Sequence, residues 1–341
     1  MAMNANDVNL AIAKGKYRPH TMLSNVALSY FQNATNYAAK AIFPIVKVSQ
    51  SSDIYYKFGK GDLLRDNWKV KPQFGKVNPS QVSESTGTYN VTVEQNIMGL
   101  DQIKRTDDVR RQGPKGLIDP KQQLAKTMAE QANIHQDNLF ANAYFKSGVW
   151  TNEFTGNDDG TGDKAFIKFS NDNSEPIKYI DERKTEMQQN TGRTPNKLGL
   201  GINVFNALKE HPAIIERVKY SGSTANPAMV TEKVLAELFA VEKIVVFNAI
   251  QNEAKMGQAE DMNFICDPNA MLLAYATNAP SIQEPSAGYI FAWDPLGDGN
   301  ILPTFHHEGE WGVHAEYIEM LMATDMKKTA DDLGMFFKSV V

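Results

Sequence analysis

At 341 residues the chain is long for a single hydrophobic core, so two or three subdomains are expected. Hydrophobic residues at 42% and charged residues at 22% are ordinary for a globular protein, and a formal net charge of −5 argues against a coat that works by bulk neutralisation of nucleic-acid phosphates. The N-terminus lacks a signal-peptide pattern, apolar runs such as residues 271–276 are far too short to span a bilayer, and the lone Cys266 cannot form an intrachain disulfide, which fits a reducing cytoplasm.

Residues 1–24 are polar and irregular and read as an extended arm. Residues 24–43 read as a helix with Val26, Leu28, Phe31, Tyr37, Ala41 and Ile42 as apolar contacts, ended by Pro44. SDIYYKF and TYNVTVEQNIM then carry β-branched and aromatic residues with partial alternation, as strands do. The segment between them is rich in Gly, Pro, Ser and charge. Connections of that length without a core of their own are usually functional or disordered. Residues 53–76 hold six Lys or Arg against three Asp, a local positive excess on an acidic protein, and Trp68 and Phe74 add apolar area that the loop cannot bury. An exposed aromatic on a protruding hairpin points to a partner surface.

Residues 119–147 predict one long helix, on the order of 40 Å. Asp119 suits the N-cap, Pro120 the first helical position, and Gln122 completes a pattern like a capping box. Leu124, Met128, Ala132, His135, Leu139 and Ala143 form a narrow apolar stripe, that of a spine rather than a buried core element. The Gly- and Asp-rich residues 156–163 read as a hairpin tip, since the terminal Glu of an EF-hand loop is missing. Ser174 is placed to cap a second helix that Gly192 closes. Residues 196–211 pass from strand to helix, and Thr231 caps a further helix with Val230 and Leu235 as a hydrophobic staple. Short strands are expected in residues 239–247, 263–276 and 288–293, and residues 313–341 read as methionine-rich strands with a turn at 331–334.

Signals for chemistry are weak. In residues 306–314 the histidines His306, His307 and His314 lack the HExxH spacing, and a zinc site needs three or four convergent ligands. They read as a polar strand face, which would place Glu310, Gly312, His314 and Glu316 together. LGLGINVF has two glycines but neither the third glycine of a dinucleotide fingerprint nor the lysine of a P-loop. A close strand-to-helix turn accounts for it. Cys266 reads as a small buried hydrophobe and His135 as a hydrogen-bonded packing residue. No GxSxG elbow is present. No catalytic residue, metal site or cofactor is expected.

The order of parts is an arm, a two-stranded excursion, one long helix, a mixed α/β region and a returning strand. With the phrases AIFPIVKVSQSSDIYYKFGKGDLLRDNWKVKPQFG, LAELFAVEKIVVFNA and KKTADDLGMFFKSVV, this order resembles the major capsid proteins of tailed bacteriophages, of the Hong Kong 97-like fold. The resemblance covers nearly the whole chain. It implies an α+β fold with an N-arm (1–47), an E-loop in the form of a long β-hairpin (48–102), a P-domain (103–195 and 313–341) with a spine helix over about 119–147, and an A-domain (196–312). It implies a structural protein, not an enzyme, that self-assembles into the pentamers and hexamers of an icosahedral head around double-stranded DNA. Lys57, Lys60, Arg65, Asp66, Trp68, Lys69, Lys71 and Phe74 of the E-loop would contact a neighbouring subunit.

The implied location is the virion, with assembly in the host cytoplasm. The implied partners are further copies of the chain, a scaffolding protein encoded separately, portal and decoration proteins, and packaged DNA by non-specific contact, with no membrane. Some relatives crosslink through a Lys–Asn isopeptide bond, but no partner Asn or assisting carboxylate is matched here. Alternatives to the head subunit are an encapsulin-type nanocompartment shell, a tail or decoration protein, and a cytosolic metal-dependent hydrolase centred on His306, His307 and His314.

Overall fold

Two short runs in the C-terminal half, MLLA and GMFFK, are almost wholly apolar, as strands covered on both faces must be. The computed structural model describes residues 32–58, 60–103, 106–107, 120–221, 230–280, 284–294, 304–309 and 312–341, with backbone alone at 34, 58, 120–122, 220–221 and 304–308. It divides into two units: Met1–Gln32, Gln95–Gln131 and Thr304–Leu321 in the first, and Asn33–Glu94, Ala132–Pro303 and Met322–Val341 in the second.

In chain order, a 3-10 turn (Ala34–Asn36) precedes α1 (Ala39–Ile42) and β1 (Ile45–Val48). The helix expected over residues 24–43 is therefore confined, among the described residues, to these two short pieces, while residues 24–31 lie outside them. β2 (Ser52–Phe58) and β3 (Glu84–Asn90) pair antiparallel from Ser52–Asn90 to Phe58–Glu84, with α2 (Lys60–Leu63) in the connecting loop. β4 (Thr92–Asp101) leaves this hairpin to pair with a C-terminal strand. The long helix, α3, is Pro120–Tyr144. It ends three residues earlier than expected, and the Asp119 cap falls outside the described residues.

The buried line of α3 also differs from the expected stripe. Met128, Gln136, Asp137, Phe140 and Tyr144 are buried, whereas His135 is exposed and Leu139 and Ala143 are half-buried. The aromatic pair takes the core in place of Leu139 and Ala143 beside it. This half of the helix is thus buried in the core, contrary to the expectation from its narrow stripe.

Next come β5 (Glu153–Asn157) and β6 (Ala165–Ile167), which pair in parallel. Residues 158–164 are therefore a loop that carries the chain back along β5 rather than a hairpin tip, held by Asn157 accepting from Gly160 N at 2.6 Å. α4 (Pro176–Thr191) ends at Gly192, whose φ of 72° and N–H to Gln188 O make the expected C-cap. Ser174 does not cap it; its hydroxyl bonds to His211 Nε2 at 3.0 Å. β7 (Lys197–Gly201) turns directly into α5 (Ile202–Glu210), followed by α6 (Pro212–Ser221) and α7 (Glu232–Leu238). Thr231 caps α7 as expected, its Oγ1 accepting from Val234 N at 3.4 Å. Then follow β8 (Lys243–Phe247), β9 (Ile250–Asn252), β10 (Met262–Phe264), β11 (Met271–Ala274), β12 (Gly288–Trp293), β13 (Thr304–Glu308), β14 (Ala315–Lys328) and β15 (Gly334–Lys338).

In the second unit a six-stranded sheet runs β6-β5-β15-β11-β7-β8. Its side chains alternate between two cores. Met335, Phe337, Met271, Leu273, Leu198 and Leu200 join α4–α7 on one face. Phe336, Leu272, Ala274, Val245 and Phe247 join Phe140, Tyr144 and Phe43 on the other. The turn from β7 into α5 needs Gly201, because a Cβ there would stand 2.3 Å from Pro268 O. That is the close packing expected of LGLGINVF. A second sheet begins with β12 between β1, in parallel, and the end of β14, antiparallel. In the first unit, β14 pairs with β13, Gln95 of β4 donates to Glu319 at 2.5 Å, and Asn96 donates to Gln131 at 2.9 Å.

One buried carboxylate fixes the N-terminal segment. Asp137 is 2% exposed and accepts from Ala39 N at 2.9 Å and Ala38 N at 3.3 Å, which satisfies donors at the start of α1. Burial pushes its carboxyl up from 3.8 to about 6, against the opposing pull of those N–H groups and Lys40. Because the folded value is the higher one, protonation favours the folded chain. That contribution is full below the ordinary carboxylate range and is lost as pH rises through about 6. Asp137→Asn should remove this dependence. The melting temperature of wild type relative to the variant should fall between about pH 4 and about pH 7; a pH-independent difference would contradict the assignment.

Candidate assembly surface

The β2–β3 hairpin is anchored at its base and open at its far end. Tyr89 stacks on Phe291 of β12 at 4.6 Å and Tyr55 lies 5.9 Å from the same ring. Asn90 N donates to Asp325 at 2.9 Å. Tyr55 faces Gly87 across the ladder, and any Cβ at 87 would stand 2.4 Å from the tyrosine ring, so glycine is what admits the ring. Lys57 extends over Tyr55, 5.4 Å from the ring centre. The alternate residues Ile54 and Tyr56 are exposed.

Beyond the ladder, Asp62 ties the two ends of the loop. It accepts from Ser83 Oγ at 2.6 Å and Ser83 N at 3.0 Å, bonds that hold its carboxyl below the usual range. Arg65 lies 3.7 Å from the same carboxylate, and Lys60 pairs with Asp332. Asp66 accepts from Trp68 N at 3.0 Å, a local turn that ends in an indole 95% exposed. Gly75 N donates to Pro72 O at 3.0 Å, closing a turn in which Phe74 takes a φ of 63° and is fully exposed. That φ is unfavourable for a bulky residue. Val70 is 95% exposed, and Lys69 and Lys71 beside it are exposed too.

The eight residues expected to make contacts thus fall in three places. Lys57 belongs to the hairpin, Lys60 and Arg65 to the loop's neck, and Asp66, Trp68, Lys69, Lys71 and Phe74 to its outer part. Turn hydrogen bonds, not packing, set the outer part. Trp, Val and Phe held in water by local turns cost solvation that the subunit does not recover, as expected of a surface awaiting a partner.

Of the residues weighed for chemistry, His306 and His307 are described by their backbone alone and Glu310 not at all. His306 and His307 stand at consecutive positions of β13, opposite Ile318 and Tyr317. His314 has a φ of 49° before β14 begins at Ala315, so the strand face expected to join it to Glu316 is not formed, and Glu310 lies outside the described residues. Among the described residues no group of three or more His, Cys, Asp or Glu could hold a metal ion. His135 is paired with Glu94 at 2.7 Å. Cys266 is buried in the core beside α3, and burial raises its thiol pKa well above the usual value. No helix among the described residues is long and apolar enough to cross a membrane.

No protein-family model matches the chain. A curated relative, the major capsid protein of Burkholderia phage BcepMu, is 25% identical over 240 residues, which is 69% of this chain and 70% of that protein. Among solved structures, a phage-related protein from Bordetella bronchiseptica RB50 is similar at a TM-score of 0.64 and 19% identity, covering 91% of this chain and 94% of that one. The mature capsid of bacteriophage PhiM1 is similar at 0.53 and 13%, covering 92% and 89%. An encapsulin complex from Synechococcus elongatus is similar at 0.54 and 8%, covering 99% and 96%. The chain has the α+β Hong Kong 97-like capsid fold.

Since turns alone present Trp68 and Phe74, replacing both by Ala should leave the stability of the unassembled subunit within about 0.5 kcal/mol of wild type. Urea unfolding measures this, and a larger loss would mean the two rings pack inside the subunit.

Proposed function

We infer that this chain is a structural subunit of a phage head, a major capsid protein, and not an enzyme. The observation that carries this is the joint one: a capsid fold along nearly the whole chain, and a curated relative of that name through about two thirds of it. The same relationship places the protein in the virion.

In finer detail, copies of the chain assemble into the pentamers and hexamers of an icosahedral shell around double-stranded DNA, in the host cytoplasm. Residues 1–47 serve as the N-arm, 48–102 as the E-loop, 103–195 with 313–341 as the P-domain and 196–312 as the A-domain. A separate scaffolding protein, a portal and decoration proteins complete the head, and packaged DNA meets its wall without sequence-specific contact. An acidic subunit suits a wall that must enclose DNA without gripping it. The E-loop clamps a neighbouring subunit through Lys57, Lys60, Arg65, Asp66, Trp68, Lys69, Lys71 and Phe74, with Trp68 as the anchor. Two features support the clamp. The loop is basic on an acidic protein, which favours an acidic neighbour, and its aromatic rings are open in the subunit.

The encapsulin reading shares the fold and differs in cargo. Purified particles that contain protein cargo and no nucleic acid would favour it.

Truncating an interface anchor costs about 2 kcal/mol or more, so Trp68→Ala should weaken subunit association by roughly thirtyfold. Electron microscopy should then show few or heat-labile particles formed from folded subunits. Normal particles of unchanged heat resistance would contradict the anchoring role.

A further inference from the structure

Among the described residues two lysines are buried, and they are satisfied differently. Lys184 turns its Nζ to backbone carbonyls, Phe239 O at 2.6 Å and Ala240 O at 3.3 Å, which completes the C-terminal end of α7. Lys197, 6% exposed at the start of β7, meets side chains instead. Its Nζ stands 3.1 Å from Asn278 Oδ1 and 3.3 Å from Glu242 Oε1. The same Oε1 accepts from Asn278 Nδ2 at 2.7 Å. One carboxylate oxygen therefore touches both an amine and the nitrogen of the carboxamide that faces that amine.

Asn196 holds the set in place. Its Nδ2 donates to Glu242 Oε2 at 3.0 Å and to Ala276 O at 2.9 Å, and its Oδ1 accepts from Ala276 N at 2.9 Å. Its backbone carbonyl accepts from Glu242 N at 2.9 Å. The start of β7, the residue before β8 and the segment after β11 thus converge at one end of the six-stranded sheet. An ion pair needs only Lys197 and Glu242. An amine, a carboxamide and a carboxylate in mutual contact are the reactants and the proton carrier of a transamidation.

We propose that Lys197 and Asn278 become joined by an amide bond within one subunit, with Glu242 carrying the proton. Glu242 takes a proton from the Lys197 ammonium, and the freed Nζ attacks Cγ of Asn278 to form the Nζ–Cγ bond. The carboxyl returns that proton to Nδ2 as the Cγ–Nδ2 bond breaks. A second proton from Nζ follows the departing ammonia, which leaves as ammonium and restores the carboxylate. Burial opposes the charge on Glu242, but hydrogen bonds from Asn278, Lys197 and Asn196 outweigh it and hold the carboxyl below its usual range, so the base is in its ionised form. The Glu242 side chain is 47% exposed, which leaves the ammonia a way out to solvent. The bond closes a long loop of chain between β7 and the segment after β11, and so restricts the unfolded chain as other covalent staples do. It involves no E-loop lysine and does not depend on how subunits meet.

The test is the intact mass of the purified, folded full-length chain, followed by a tryptic digest. The chain should be lighter than its sequence mass by one ammonia, and the digest should contain a branched peptide that joins Lys197 to Asn278, with no cleavage after Lys197. Full sequence mass in the wild-type chain would overturn the proposal, as would loss of ammonia without the joined peptide. Glu242→Gln keeps the size of the side chain and removes the base, so this variant should retain its full mass while still melting cooperatively. Lys197→Arg and Asn278→Ser should retain theirs as well. The joined peptide at undiminished yield in Glu242→Gln would contradict the role given to the carboxylate.

Discussion

The second unit depends on the aromatic junction at the C-terminal end of α3. Phe43 lies 4.4 Å from Tyr144 and 6.1 Å from Phe140, Phe140 lies 5.3 Å from Phe247, and Phe145 meets Phe336 edge-on at 5.4 Å. Each such pair adds about 0.5–1.5 kcal/mol beyond the area it buries. The Tyr144 hydroxyl, inside this junction, donates to Tyr289 O at 2.8 Å and Lys327 O at 3.2 Å, which ties the helix to β12 and β14. The N-terminal segment, the six-stranded sheet and the β1–β12–β14 strands thus share one helix end as a wall. Gly288 belongs to the same arrangement, since a Cβ there would stand 2.6 Å from the Tyr144 ring.

What is fixed at the junction frees what projects from it. β12 carries Phe291, Phe291 carries Tyr89 and Tyr55, and these hold the hairpin whose far end presents Trp68 and Phe74 to water. Within the subunit the loop has few interactions beyond its own turns, so the free energy that orders its rings against a surface must come from assembly. A rigid root with an unsatisfied tip lets an interface form without remodelling the core.

Much of this was legible in the sequence where local chemistry and periodicity agree. Thr231 capping α7, Gly192 closing α4, and the run GYIFAW as a strand all follow from residue types that admit few alternatives. The open state of Trp68 and Phe74 was legible too, because the loop around them offers no apolar partner. Within residues 32–43 the expected N-terminal helix is broken where Asp137, distant in the chain, takes the amides of Ala38 and Ala39. The α3 stripe held at Met128 and drifted toward the C-terminal end, where Leu139 and Ala143 were followed instead of Phe140 and Tyr144 one position on. An acid in line with that aromatic pair was the available signal for Asp137, which sequence reasoning missed. The pairing of β9 with β10 was hidden for a different reason: strands of three residues have no periodicity to read.

The most direct test of a shell subunit with an outreaching clamp is cryo-electron microscopy of particles formed by the chain, expressed alone and with the genes beside its own. The account predicts closed icosahedral shells in which the rings of Trp68 and Phe74 are buried against another subunit. A population of small uniform monomers under both conditions, or closed shells whose Trp68 and Phe74 remain in solvent, would contradict it.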